Sequence, residues 1–402
     1  MTISKLGSGA GCSERAIRYP ESDWSKRMPK DSQYQRVVVA MIDGFGLEYL
    51  AATPMPNLRR LMVEGFYRPV SAVFPSVTNV NNASISCGAW PDEHGICANS
   101  YFDEESGQAA YMNSGDLIRI ETLFQRAERC GVRAGLLSAK RKTLELFNKG
   151  VALAATAEDP PADLVVRHGP PSGIYSREIN YWLWQVAVDL LKTRPDLGLL
   201  YVHTTDYPMH RWPPEAPESQ EHLQRLDTLI GEARAAAPDA AFFITADHGM
   251  NFKTRCWDLT RLCEHAGTPI RFMLSPERDY YIQHHKNYSG CAWLWLHDPN
   301  DYARVEACLC ALPGIEGLLP SEEAASRLHL PLERIGDMVV LGDRDTMFGE
   351  MDIAYADLEP SYRAHGSLHE MDVPLVIHNC DGLVPNPSAF SNNKDLVRFL
   401  YR

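Results

Sequence analysis

The 402-residue sequence has no run of 18 or more apolar residues, the length a membrane-spanning helix requires, so no membrane span is expected. The N-terminal stretch Met1–Pro20 has neither an apolar core nor a small-residue cleavage site. It does not read as a secretory signal, and a cytoplasmic protein with reduced, mostly buried thiols is expected. The ten cysteines include no Cys-x-x-Cys pair. Cys308 and Cys310 would share one face of a strand, but nothing nearby completes a zinc set. A basic excess is also missing: 39 Lys+Arg stand against 52 Asp+Glu, a formal net charge of −13. That argues against nucleic acid and anionic membranes as partners. It also speaks against a small anionic substrate, except that a local site can carry a field opposite to the whole surface. No repeat period is visible, and no segment is low in complexity apart from the polar N-terminal stretch.

What is present is ordinary for a globular enzyme, with 45% hydrophobic and 23% charged residues. The length accommodates two to three domains, or one large domain with an insertion. Residues 1–34 read as an irregular arm. The run Val37-Val-Val-Ala-Met-Ile ending in Asp43-Gly44 reads as a buried parallel strand. A helix follows from Pro56, with Gly65 as its stop. The alternation continues with strands at Val132–Leu137, Leu199–His203, Ala240–Ala246 and Pro374–His378. Helices are expected at Ile179–Leu191 and Leu223–Ala235, with a short one at Asn393–Leu400. This order predicts an α/β fold, a doubly wound and mostly parallel sheet. Residues 254–360 differ, with aromatic period-two pieces at Tyr280–Gln283 and Ala292–His297. They read as a smaller α+β cap inserted into a core made of 35–253 and 361–402.

In doubly wound sheets, ligands bind beyond the carboxyl ends of the strands. Asp43 follows the first strand, Asp206 and His210 another, and Asp247-His248-Gly a third, while His365-Gly precedes the last. Asp206 and His210, four apart, share a face if a helix begins there. Asp and neutral His are donors that suit catalytic Zn²⁺. Each piece alone has an ordinary explanation as a turn or a solvated helix face; their joint occurrence at strand ends does not. His94, His168, His222, His265, His329 and His378 lack such a context and read as surface or core histidines. Thr78 stands where a short helix begins, at the positive end of its dipole. It serves either as a helix cap or as a hydroxyl nucleophile activated by an adjacent metal.

Together, Asp43-Gly, Phe74-Pro-Ser-Val-Thr78-Asn-Val-Asn-Asn, His94-Gly-Ile, Asp206-x-x-x-His210, Asp247-His248-Gly-Met-Asn and His365-Gly resemble the alkaline phosphatase superfamily. Ala139-Lys140-Arg-Lys142, Thr204-Thr-Asp-Tyr and the lysine at 253 narrow the likeness to its phosphonoacetate hydrolase branch. The resemblance covers roughly 36–250 and 362–380. It implies two Zn²⁺ per chain, one held by Asp206, His210 and His365, the other by Asp43, Asp247, His248 and the Thr78 oxygen. It implies Thr78 as the nucleophile, Asn99 on a phosphoryl oxygen, and Lys140, Lys142 and Lys253 on an anionic substrate. The cap adds His284 or His285. His365 is preferred over His369, four residues on, because of its His-Gly pairing. Arg211-Trp-Pro213 departs from the more polar sequence expected there and bears on the substrate more than on the chemistry.

The implied reaction is hydrolysis of the P–C bond of phosphonoacetate, or a close carboxylated phosphonate, to acetate and phosphate through a phospho-threonine. A phosphodiesterase or nucleotide pyrophosphatase on the same di-zinc core is the alternative, and a non-catalytic metal-binding protein is a remote third. The formylglycine signature of sulfatases, Cys/Ser-x-Pro-x-Arg, is missing. A homodimer is left open.

Overall fold

The computed structural model describes residues 36–281, 284–380 and 389–402. The expected arm, 1–34, and Cys12 lie outside them.

The core is a seven-stranded sheet. Its strands are β1 (Val37–Met41), β2 (Phe66–Ser71), β3 (Arg133–Ser138), β4 (Val151–Thr156), β5 (Leu197–His203), β6 (Ala241–Thr245) and, after the inserted segment, β11 (Asp372–His378). The spatial order is β2-β11-β6-β1-β5-β3-β4. β1 lies between β5 and β6, parallel to both, and all five of its residues are buried. That placement explains its unbroken apolar run, since neither face nor edge meets water. β11 runs antiparallel to both neighbours, β6 and β2, in an otherwise parallel set. β2 carries Pro69, tolerable because the strand is at an edge.

Helices pack against this sheet: α1 (Pro56–Glu64), α2 (Thr78–Cys87), α3 (Glu178–Thr193), α4 (Tyr207–Arg211) and α5 (Pro217–Ala236). α5 begins six residues before the expected Leu223, because Pro217 sits in its first turn, where a missing N–H costs nothing. The expected helix at Asn393–Leu400 is a tighter 3₁₀ turn, Asn393–Val397.

Within 254–360 a second sheet forms from β7 (Ile270–Leu274), β8 (Cys291–Leu296), β9 (Ile315–Pro320) and β10 (Met338–Gly342), all paired antiparallel in the order β7-β8-β10-β9. β8 explains the aromatic alternation there. Cys291, Trp293 and Trp295 join the main apolar core, whereas Ala292, Leu294 and Leu296 join a separate cluster with Ile270, Val305 and Val340. One strand thus seals two cores. Two expectations fail in this segment. Tyr280 and Tyr281 lie in a bend rather than a strand, and Ile282 and Gln283 fall outside the described residues. Cys308 and Cys310 sit on a helix, Tyr302–Cys310, so they do not share a strand face. Six of the nine described cysteines are buried. Among the described residues no helix is long and apolar enough to cross a membrane.

Candidate active site

The strand ends are level. Met41 of β1 pairs with His203 of β5 and Thr245 of β6, and Ser138 of β3 pairs with His203. The residues that follow therefore emerge side by side: Asp43, Lys140, Asp206 and Asp247. Because β11 is antiparallel, its leading segment reaches the same edge, which brings in His365. The turns are tight. Gly44 has φ +74°, and a Cβ there would stand 3.1 Å from Asp206 Cβ. Gly366 has φ +103°, and its Cβ would collide with Ser289 Oγ at 2.2 Å. Both positions require glycine.

Thr78 is the first residue of α2, with Val77 as an N-cap that offers no side-chain bond. Its Oγ1 lies 3.3 Å from Asp43 Oδ1 and 3.3 Å from His248 Nε2. Three asparagines in the first turns of this buried helix would normally weaken it. Here each ties down a different segment. Asn79 donates to the carbonyls of Ala98 and Met112, Asn81 to those of Val73 and Pro75, and Asn82 accepts from Tyr201 Oη and faces His203. The Thr-Asn-x-Asn-Asn run thus fixes the hydroxyl from three sides.

The seven side chains expected as metal ligands converge. Asp43, Asp247 and His248 present donor atoms within 4.8 Å of one another. Asp206 does so with His248 and His365, and also with His210 and His284. His365 groups with His248, their rings stacked 3.6 Å apart, more closely than with His210 at 5.3 Å. Three of the histidines share one tautomeric constraint. His210 Nδ1 lies 2.7 Å from Arg363 O, His365 Nδ1 2.7 Å from Ser76 O, and His248 Nδ1 2.9 Å from Gly249 O. Each Nδ1 is thereby held by a backbone carbonyl, which turns each Nε2 into the site, where that of His210 meets Asp206 Oδ2 at 2.8 Å. Asp247 Oδ2 and His365 Nε2 are buried without any hydrogen-bond partner. Orphaned buried donors and acceptors are costly unless an ion completes them, so the residues present fit bound divalent metal.

The electrostatics divide the histidines. Burial pushes His248 down to about 3 and His210 down to about 4, which leaves both as neutral imidazoles. His365 differs: burial opposes its charge, but Glu277 and Asp206 hold it up at about 9. Burial and the adjacent Asp43 raise the Asp247 carboxyl well above its usual range. Lys140 Nζ sits between Asp43 Oδ2 (2.8 Å) and Asp206 Oδ1 (3.3 Å). Burial works against this ammonium, and the two carboxylates overcome it.

Beside the carboxylates lies a pocket lined by Thr78, Asn99, Lys140, Lys142, Glu277 and His285, among others. Lys142 Nζ donates to Asp279 Oδ2 (2.6 Å) and Asn99 Oδ1 (3.1 Å). Asn99 Nδ2 in turn donates to Glu277 Oε2 (2.8 Å). Burial pushes Glu277 up to about 7. Of the residues expected on substrate, four line this pocket: Asn99, Lys140, Lys142 and His285.

Lys253 does not. It is buried behind the site, where Nζ donates to Glu370 Oε1 (2.9 Å) and Arg344 O (2.8 Å). The short strand Asn251–Phe252, paired with Arg363–Ala364, carries it away from the pocket. His369 is partly exposed and faces Glu316 Oε2 at 2.6 Å, well apart from the cluster. His94 and His222 are buried core histidines; His94 meets Ser84 Oγ at 2.8 Å. Sequence reasoning missed His203, whose Nε2 lies 3.4 Å from Asp43 Oδ2, although its place as the last residue of β5 was a signal. It also missed Glu277 and Asp279, which come from a segment with no periodicity to place them.

The sequence profile of the type I phosphodiesterase / nucleotide pyrophosphatase family matches residues 37–367. An uncharacterized pyrophosphatase/phosphodiesterase of Schizosaccharomyces pombe is 28% identical over 233 residues, 53% of this chain and 44% of that protein. A bis(5'-adenosyl)-triphosphatase of Xenopus laevis is 25% identical over 55% of this chain and 48% of its own length. The chain thus spans less than half of these curated relatives. Among solved structures, phosphonoacetate hydrolase from Sinorhizobium meliloti 1021, in complexes with phosphonoformate and with phosphonoacetate, superposes with a TM-score of 0.81. The identity is 29%, over 92% of this chain and 95% of that one. Human ectonucleotide pyrophosphatase / phosphodiesterase 5, at 18% identity and TM-score 0.65, shares the fold. The chain belongs to the type I phosphodiesterase / nucleotide pyrophosphatase family, within the alkaline phosphatase superfamily of metal-dependent phosphoester and phosphonate hydrolases.

Proposed function

We propose that this protein is a di-zinc hydrolase that cleaves the P–C bond of phosphonoacetate, or a close carboxylated phosphonate, to acetate and phosphate. The observation that carries the reading is a pocket floored by Thr78 and flanked by two buried lysines, Lys140 and Lys142. A simple ester needs no cationic clamp for its leaving group; a carboxylated phosphonate does. The near full-length likeness to phosphonoacetate hydrolase supports the same choice.

Asp206, His210 and His365 would hold one metal, and Asp43, Asp247 and His248 the other, beside the Thr78 oxygen. When bound, two Zn²⁺ supply Lewis-acid stabilisation of the attacking and leaving groups and lower the pKa of a bound hydroxyl. The Thr78 oxygen attacks phosphorus in line with the P–C bond. The bonding pair leaves on the CH₂ carbon and spreads onto the carboxylate as an enediolate, which Lys140 and Lys142 stabilise. A solvent proton completes acetate. Asn99 orients a phosphoryl oxygen. Water then attacks the phospho-threonine, releasing phosphate and restoring the hydroxyl.

A phosphodiesterase is the second reading, and one observation favours it. Glu277 and Asp279 cancel the two lysines in formal charge, so the pocket is less positive than the lysines alone suggest. The curated relatives also bear phosphodiesterase and pyrophosphatase names. The deciding experiment compares phosphate release from phosphonoacetate with nitrophenol release from a bis-nitrophenyl diester, alongside metal content. Far faster turnover of the diester would falsify the P–C reading.

A further inference from the structure

The three histidines expected as ligands share an anchor, the backbone carbonyl that holds each Nδ1. A fourth histidine stands beside them without one. His284 comes from the inserted segment between β7 and β8, and its side chain is 9% exposed. Its ring lies 4.5 Å from the His210 ring at 70°, with the rings of Tyr175 and Tyr207 edge-on at 5.7 and 5.9 Å. Among the described residues, neither Nδ1 nor Nε2 has a hydrogen-bond partner. Nε2 points toward Asp206, 3.5 Å from Oδ1, at a bearing that makes no hydrogen bond. Its donor atom, one oxygen of Asp206 and one nitrogen of His210 all fall within 4.8 Å of one another.

Leaving both nitrogens of a buried imidazole unsatisfied is unfavourable. An aromatic enclosure gives the ring body its packing but does nothing for its nitrogens. Two readings account for the placement. As a donor to Asp206 the ring would only position that carboxylate, and the missing hydrogen bond speaks against this. As a donor of a lone pair it would join Asp206 and His210, the two residues whose donor atoms lie within reach of its own, around one cation that still has room for a substrate atom.

We propose that His284 is a fourth protein ligand, supplied by the inserted segment, to the divalent cation at Asp206 and His210. This rests on the two-metal reading of the site. With no carbonyl fixing its Nδ1, His284 holds less tightly than His210.

The test uses the full chain, stripped by chelator and reloaded with Co²⁺, with stoichiometry from calorimetry and coordination from the visible d–d bands. The wild-type protein is expected to bind two Co²⁺. His284→Ala is expected to keep its fold by circular dichroism and to weaken one of the two sites at least tenfold, less than His210→Ala does. Its d–d bands should change and should return on addition of free imidazole. His284→Gln, closer in volume, guards against loss of fold and is expected to behave likewise. Unchanged bands with both affinities retained would overturn the proposal. So would altered bands that imidazole does not restore, since His284 would then act through Asp206. A wild-type protein that binds fewer than two Co²⁺ would instead remove the two-metal reading beneath it.

Discussion

Replacing Lys253 by Met separates a structural role from a substrate role. Lys253 and Glu370 form an ion pair at 2.9 Å with both side chains wholly buried. Glu370 also accepts from Asn251 Nδ2 (2.7 Å) and from Ser367 Oγ (2.6 Å). Its backbone carbonyl accepts from Gly249 N at 2.7 Å. This knot joins the segment after Asp247-His248 to the segment after His365. Burial alone would raise the Glu370 carboxyl, yet Lys253, Ser367 and Asn251 bring it from 4.5 to about 2. At about 1.36 kcal/mol per pH unit, that preference for the charged form is worth about 3 kcal/mol. Breaking a buried pair from one side costs about 3–5 kcal/mol, because the remaining charge is left without a counterion. Lys253→Met is therefore expected to lower unfolding free energy by about 3 kcal/mol in urea, with KM for phosphonoacetate little changed in the folded fraction. Lys253→Met combined with Glu370→Gln should recover part of the loss. Because the folded-state value of Glu370 is depressed, its contribution is complete above about 4.5 and fades as pH falls toward about 2. The gap between parent and Lys253→Met should narrow over that window. A Lys253→Met protein that unfolds at the parent's urea midpoint, but shows a raised KM, would refute this and return Lys253 to the substrate.

Thr78→Ala is expected to reduce turnover at least about 10³-fold while bound metal, measured by elemental analysis, stays at the parent level. Retained turnover would remove Thr78 as the nucleophile. Lys142→Ala should cost about 10- to 100-fold in kcat/KM on phosphonoacetate, about 1.4–2.7 kcal/mol, and much less on a nitrophenyl ester; equal losses would indicate only general positive charge. Asp279→Asn releases Lys142 from its 2.6 Å ion pair, so it should lower KM for phosphonoacetate and leave KM for the ester nearly unchanged. Stripping metal by chelation should abolish activity and lower the melting temperature, with recovery on Zn²⁺ addition, since a ligand at about 1,000 times its Kd stabilises by about 4 kcal/mol.

Much of the site could be read from sequence because of one geometric regularity. Asp43, Asp206 and Asp247 each follow a strand whose apolar run is unmistakable, and parallel strands end at one edge. His365 was legible by the converse, as it precedes a strand that happens to run the other way. Proximity in sequence misled at Lys253. It lies six residues past Asp247, but a two-residue strand, Asn251–Phe252, redirects the chain behind the site. His369 posed the same trap four residues past His365, and there the glycine after His365 pointed the right way. The inserted segment offered no comparable handle. Glu277, Asp279 and His284 lie in irregular chain between β7 and β8, where neither period two nor period 3.6 assigns a direction to a side chain. Their placement depends on how β8 seats its Trp293 face against the main core, a tertiary fact no local pattern encodes.

The negative total charge gains a specific meaning at the sheet edge. Asp43, Asp206 and Asp247 are wholly buried or nearly so and stand close enough for their charges to repel one another, although the net effect raises only the Asp247 carboxyl. Among the described residues, Lys140 is the buried cation that touches two of them. Like charges held this near in a dry site destabilise the fold unless cations offset them, and a sheet whose central strands are buried can bear that strain. On the proposed reading, the site would attract a divalent ion before any anion. With metal bound there, the Lys140 ammonium would be repelled by it and freed toward the pocket, where the carboxylate of the proposed substrate would offer it a new partner. On this view Lys140 has two successive partners, and the acidic edge both recruits the metal and sets the lysine free to meet the substrate.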